Sequence, residues 1–178
     1  MYGLGGHRCR LGSGGWRAVV ATDHGGLGRG RGGGELHLRA DQDAAATLQQ
    51  VVDRVNGLRP APAFVLHTGD QTHGQKAGAF DTVAEILKTV KTERIFYVPG
   101  EHDVFLDGGK EYLARYGKGT VDGRGWQSFD YKGTHFVGLV NVLKYKGEGM
   151  GSLGDEQLEW LEKDVAPLSS STPIVIFS

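Results

Sequence analysis

Leu48, Val51, Val52 and Val55 recur at i, i+3, i+4 and i+7, which puts four apolar side chains on one face of a helix. Asp41 or Asp43 suits its cap, Asn56-Gly57 its stop, and Pro60 and Pro62 forbid its continuation. The apolar run Ala63 to His67 then reads as a short buried strand. Helical spacing returns with Phe80, Val83, Leu87 and Val90, predicting a second helix over about Ala77 to Lys91. Arg94 to Val98 is the next strand, turned by Pro99-Gly100. A short helix is expected over Gly109 to Tyr116. Trp126–Tyr131 and Thr134–Val140 form two strands joined by Lys132-Gly133, a hairpin signal. After a glycine-rich loop over Lys144 to Gly154, Asp155 is placed to cap a helix through Val165, with Leu158, Leu161 and Val165 facing inward. Pro173 to Phe177 is a final strand. Strands alternating with helices, followed by a hairpin, imply an α/β domain with a mixed sheet.

Two of the predicted strands end in polar clusters. Gly69-Asp70-Gln71-Thr72-His73 follows Phe64-Val65-Leu66, and Gly100-Glu101-His102-Asp103 follows Ile95-Phe96-Tyr97-Val98. In α/β sheets ligands bind beyond the carboxyl ends of strands, so both clusters face the expected cleft. A Gly-Asp after a strand is often a plain turn, and a His-Asp pair is often a solvated loop. Both clusters within one α/β unit, rich in carboxylate and imidazole, point instead to a metal site. Asp70 is placed to bridge two divalent cations, and Glu101 to supply another oxygen ligand. Cations about 3.5–4 Å apart clamp a phosphoryl group and activate water. His102 is then the candidate general acid for the leaving alkoxide, or a stabiliser of phosphoryl charge. Asp103 or His73 could orient its imidazole.

The remaining histidines carry less chemistry. His67 lies inside a strand and reads as a packed or hydrogen-bonded core residue, and His135 alternates along a hairpin strand in a structural role. His7 and His37 have no supporting context. Trp126, Trp160 and Phe136 read as core rather than as a base-stacking surface.

Composition changes the picture mainly at the N-terminus. The 178 residues fit one domain, but thirteen of the 30 glycines fall within the first 34 residues. That density costs backbone entropy, so residues 1–40 are expected to be an atypical, partly disordered segment, with the main domain over 41–178. One island in it, Trp16 to Ala21 followed by Thr22-Asp23-His24, reads as a strand ending in polar groups. The glycines from Gly25 to Gly34 match neither the dinucleotide fingerprint nor the P-loop. A formal net charge of -1 provides no basic field for nucleic acid. No apolar run approaches the length of a membrane span. The lone Cys9 forms no internal disulfide. The start of the chain lacks a signal-peptide pattern, so a cytoplasmic setting is expected.

At the two clusters the sequence resembles the calcineurin-like metallophosphoesterases, whose motifs run Asp-x-His, Gly-Asp-x-x-Asp/His, Gly-Asn-His-Asp/Glu, a late His and Gly-His-x-His. Gly69 to His73 matches the second motif, and Gly100 to Asp103 the third with Glu for Asn. The spacing, the hairpin from Ser128-Phe129-Asp130 to Asn141, and Leu158-Glu159-Trp160-Leu161 are similar to the cyclic-nucleotide phosphodiesterase-like branch. The resemblance covers about Asp41 to Ser178. It implies a sandwich of two mixed sheets flanked by helices. It also implies Asp70 as bridging ligand, Glu101 as ligand of the second metal, His102 as catalytic acid supported by Asp103, and two cations that are manganese, iron or zinc.

Three departures shape the expectations. Asp23 and His24 are adjacent where the first motif has Asp-x-His, so alternation would aim them to opposite sides, and Asp23 is the better ligand candidate. Glu101 adds a charge where the family carries neutral Asn, which favours tighter cation binding. The chain stops at Ser178, on the strand that leads into the late His, so a C-terminally incomplete domain is the expectation, with one or two metals bound. The reading is a metal-dependent phosphoesterase acting on a small phosphomonoester or phosphodiester. The alternatives are a weakly active or inactive fragment that binds one metal, and a non-catalytic phosphate-binding module.

Overall fold

The computed structural model describes residues 18–21, 44–72, 75, 78–92, 94–143 and 151–178. Two three-stranded sheets, one ordered β1-β2-β3 and the other β4-β5-β6, carry helices around them. The first contains β1 (Ala18–Ala21), β2 (Phe64–His67) and β3 (Ile95–Tyr97), all parallel, with α1 (Ala44–Asn56) and α2 (Ala79–Leu87) as crossovers. The second contains β4 (Gln127–Tyr131) and β5 (Thr134–Gly138) as an antiparallel hairpin, with β6 (Ile174–Phe177) parallel to β5. Two further helices are α3 (Lys110–Tyr116) and α4 (Asp155–Val165). The architecture is the mixed α/β arrangement expected, although the described part of the first sheet is wholly parallel and only the second is mixed.

The core lies where the two sheets meet. Phe64, Leu66, Phe96 and Val98 from the first sheet side pack with Phe136 and Phe177 from the second. Phe64 meets Phe96, Phe129, Tyr131 and Phe136 edge-on at centroid separations of 5.2–5.8 Å, the arrangement favoured by ring quadrupoles. All four residues of β2 are buried, so this strand is covered on both faces, as a parallel strand between layers should be. Two features put β2 and β3 in a fixed register: Leu66 lies opposite Phe96, and Val98 N–H donates to His67 O at 3.0 Å. Their carboxyl ends therefore leave the sheet side by side.

Local chemistry explains where the elements stop. The helix predicted to reach Lys91 ends at Leu87. Thr89 turns its hydroxyl onto Ile86 O at 2.7 Å, and the Asn56 amide, at the end of α1, takes the next backbone groups by donating to Thr89 O and accepting from Lys91 N–H. The hairpin turn has Lys132 at φ 48° and Gly133 at φ 76°, both left-handed, as a two-residue turn matched to strand twist requires. Asp107 accepts from Gly109 N–H and Glu111 N–H at 2.8 Å each and so starts α3. No helix among the described residues is long and apolar enough to cross a membrane.

Helix α4 corrects one expectation. Leu158, predicted to face inward, is 46% exposed, and the buried residue of α4 is Gln157. Leu161 and Val165 are half-buried as predicted, and the inward side also takes in Gln157, Trp160 and Asp164, so only Leu158 departs from the apolar periodicity. Polar anchoring holds this side: the Gln157 amide donates to Val140 O and accepts from Val140 N–H, both at 2.8 Å, just beyond the end of β5. Trp160 packs on the cluster of Val104, Trp126, Val140 and Val142. At the far end, Asp164 accepts from Ser128 at 2.7 Å and lies 2.9 Å from His135 Nε2, while Asp130 lies 2.8 Å from His135 Nδ1.

His135 is thus structural, as expected, but it is a charged latch rather than a packing residue. Its side chain is 6% exposed, and only the imidazolium has a proton to offer each carboxylate. Burial alone would lower its pKa; the hydrogen bonds and charges of Asp130 and Asp164 outweigh that, and the net direction is upward. A raised folded-state pKa gives stability that is complete below the ordinary value near 6.5 and lost as pH rises through the folded value. The thermal midpoint of the parent should therefore exceed that of His135→Gln most at pH 6, and this advantage should shrink steadily towards pH 9 in melting curves. A pH-independent difference would show that the latch is not ionic.

Candidate metal centre

The two polar clusters emerge from adjacent parallel strands and interlock. Gly69 has φ 95° and Asp70 φ 52°, both left-handed, so the chain reverses immediately after β2. For Asp70 this is a strained conformation that a non-glycine residue adopts rarely, most readily as Asp or Asn. Glycines make the approach possible. A Cβ on Gly69 would overlap Gly100 N and Cα, and a Cβ on Gly100 would overlap Asp70 N and Oδ1. The backbone of one loop is seated against the backbone of the other.

Beyond Gly100 the chain makes a single 3₁₀ turn, Glu101–Asp103. This turn is pinned to the first loop from several atoms. His102 N–H donates to Asp70 Oδ1 at 3.2 Å. Asp103 Oδ1 accepts from Thr72 N–H at 2.9 Å, and Asp103 Oδ2 from Gly100 N–H at 3.0 Å. The Thr72 hydroxyl lies 3.3 Å from both Asp103 Oδ1 and His102 O. Farther out, Gln75 accepts from Leu106 N–H at 2.6 Å and donates to Asp107 Oδ1 at 2.8 Å. The Asp70 carboxylate is therefore brought to the backbone of His102, and the Asp103 carboxylate to that of Thr72, across some thirty residues of sequence.

Their surroundings differ. Asp70, Glu101 and His102 are half-buried, whereas Asp103 is fully buried. Burial pushes the Asp103 carboxyl above the ordinary carboxylate range, the backbone N–H groups of Gly100, Gln71 and Thr72 pull against it, and neighbouring Asp70 adds to the upward push. The Asp103 carboxylate accepts from the backbone of both loops, and Thr72, a residue with no role expected from the sequence, bonds to it through both its N–H and its hydroxyl. A polar residue at an unassigned position of Gly-Asp-x-x-His was the only available signal. His67, three residues ahead of Asp70, is buried against the Tyr97 ring, and burial lowers its pKa to about 4, so it stays neutral.

Carboxylate oxygen is the ligand type that hard divalent cations prefer, and Asp70 and Glu101 lie on the two interlocked loops. Asp70 and Asp103 repel one another, and glycine keeps the space beside Asp70 Oδ1 free of a Cβ. A cation would relieve that repulsion. Among the described residues, no three His, Cys, Asp or Glu side chains converge on one point. Asp23, His24 and His73, which the sequence reading placed at the site, lie outside the described residues.

Replacing Asp103 with Asn sets an amide NH₂ against either Thr72 N–H or Gly100 N–H in a buried place. Leaving one buried donor unpaired costs about 1–3 kcal/mol. Asp103→Asn should lower the unfolding free energy by that amount in denaturant melts. A variant as stable as the parent would show that the carboxylate does not join the loops.

The sequence profile of the calcineurin-like phosphoesterases matches residues 17–178, and so takes in β1, Asp23 and His24 as well as both interlocked loops. A protein of Rhodopseudomonas palustris described as a probable cyclic nucleotide phosphodiesterase is 29% identical over 140 residues, which cover 76% of this chain and 48% of that relative. The chain thus spans about half the length of the curated relative it matches. The family generally uses divalent metal ions. By the extent of the match, the chain belongs to the calcineurin-like phosphoesterase family.

Proposed function

We propose that this chain hydrolyses a small phosphoester, a phosphomonoester or a phosphodiester, at the interlocked loops with the help of two divalent cations. The observation that carries the reading is the contact of His102 N–H with Asp70 Oδ1 at 3.2 Å, which ties the candidate acid to the candidate bridging carboxylate. Asp70 and Glu101 would hold the cations, joined by Asp23 and His24 of the first motif. Manganese, iron or zinc, when bound, supplies charge neutralisation and water activation for phosphoryl transfer. The protein groups do the rest. Asp70 is held in place by its strained backbone and by the His102 amide. His102 delivers a proton to the leaving alkoxide, and Asp103 fixes the turn on which His102 sits. The relative's name favours a phosphodiester over a monoester. No nucleic acid or membrane partner enters this reading.

A second reading is a chain that binds a cation without turnover. Titrating manganese, zinc or iron into the chelator-stripped chain with bis(p-nitrophenyl) phosphate separates the two. Turnover that rises with cation and vanishes with chelator is expected. Saturable cation binding without turnover favours the second reading, and turnover indifferent to chelator contradicts both.

Two variants assign the roles. Asp70→Asn should abolish tight cation binding in isothermal titration, because the bridging charge is gone; unchanged stoichiometry would remove Asp70 from the ligand set. His102→Ala should retain the cations while kcat falls by about 10²–10⁴, the usual worth of a general acid. A parent-like rate would show that His102 is not the acid.

A further inference from the structure

Thr72 sits between the proposed ligand Asp70 and the turn that carries His102, and it is buried. Its backbone and side chain face the same partner. The N–H donates to Asp103 Oδ1 at 2.9 Å, and the hydroxyl lies 3.3 Å from that oxygen and 3.3 Å from His102 O. Asp70 Oδ1 holds the amide side of His102, and Thr72 addresses its carbonyl side. The two peptide groups flanking the His102 Cα are therefore both tied to the first loop. Gln75 braces the chain farther along, at Leu106 and Asp107, and does not reach His102 itself.

We propose that Thr72 is a positioning residue for the reaction: its hydroxyl sets where the turn places His102 relative to Asp70. The inference rests on the proposed phosphoesterase reading and adds to it a residue outside the ligand and acid roles. The hydroxyl carries one proton and faces two acceptors. It is therefore shared between the His102 carbonyl and the Asp103 carboxylate and couples them. Losing it frees the carbonyl side of His102 while the N–H bond to Asp103 persists. Misplacement by about 1 Å at a reacting group costs about 10²-fold in rate, so a partial release should cost less than that.

The test uses the full chain and two variants. Thr72→Val keeps the shape and the N–H but removes the hydroxyl, and Thr72→Ser keeps the hydroxyl. With manganese and bis(p-nitrophenyl) phosphate, Thr72→Val should lose about ten-fold or more in kcat with KM and manganese stoichiometry unchanged. Thr72→Ser should stay within about three-fold of the parent. Equal kcat in the parent and Thr72→Val overturns the proposal, as does a loss that Thr72→Ser shares. Hydrogen exchange supplies a readout independent of turnover: the amides of Gly100 and His102 should exchange at least ten-fold faster in Thr72→Val, and unchanged exchange overturns the positioning role. A parent that binds manganese but does not turn over refutes the phosphoesterase reading instead, and the exchange result still decides whether Thr72 holds the turn.

Discussion

The site depends on one buried carboxylate. Asp103 is wholly enclosed, yet it bonds to the backbone of two loops that leave neighbouring parallel strands. A carboxyl group in such a place is stable only if its oxygens are satisfied, and N–H groups from Thr72 and Gly100 satisfy them. The cost of leaving either unpaired keeps the loops in contact. Glycine is the other half of the constraint, because a side chain at residue 69 or 100 would hold the backbones apart. Everything chemically interesting, from the strained Asp70 to the His102 turn, follows from that seam.

The fold supplies the seam at low cost. Parallel pairing of β2 with β3 aligns their carboxyl ends, and the aromatic packing around Phe64 fixes both strands against the second sheet. The loops inherit the rigidity of a core that excludes water on both sides of β2. The second sheet is secured separately, by the Gln157 amide on Val140 and by the His135 latch between Asp130 and Asp164. The anchors use groups other than those of the seam: Gln157 and Val140 on one side of the second sheet, His135 with Asp130 and Asp164 on the other.

Much of this was legible in the sequence, for identifiable reasons. Strands and helices with strong apolar periodicity were placed within a few residues, because burial sets both the spacing and the fold. The pairing of Gly69-Asp70 with Gly100-Glu101-His102-Asp103 was legible because both clusters follow strands of one α/β unit. What was hidden was polar and tertiary. The end of α2 depended on Asn56, more than thirty residues away, and the inward face of α4 depended on a glutamine amide that no hydropathy pattern registers. The bonds from the Asp103 carboxylate to Thr72 N–H and Gly100 N–H, which join the two loops, were not visible either. Long-range hydrogen bonds of this kind leave no period in the chain.

If the seam holds the proposed cations, paramagnetic manganese reports their position directly. Added in substoichiometric amounts to isotopically labelled chain, it should broaden the amide resonances of Gly69 to Thr72 and of Gly100 to Asp103 first. Those of the β4–β5 hairpin turn at Lys132-Gly133 should stay sharp. Broadening that spares both loops, or that centres on another part of the chain, would contradict the account.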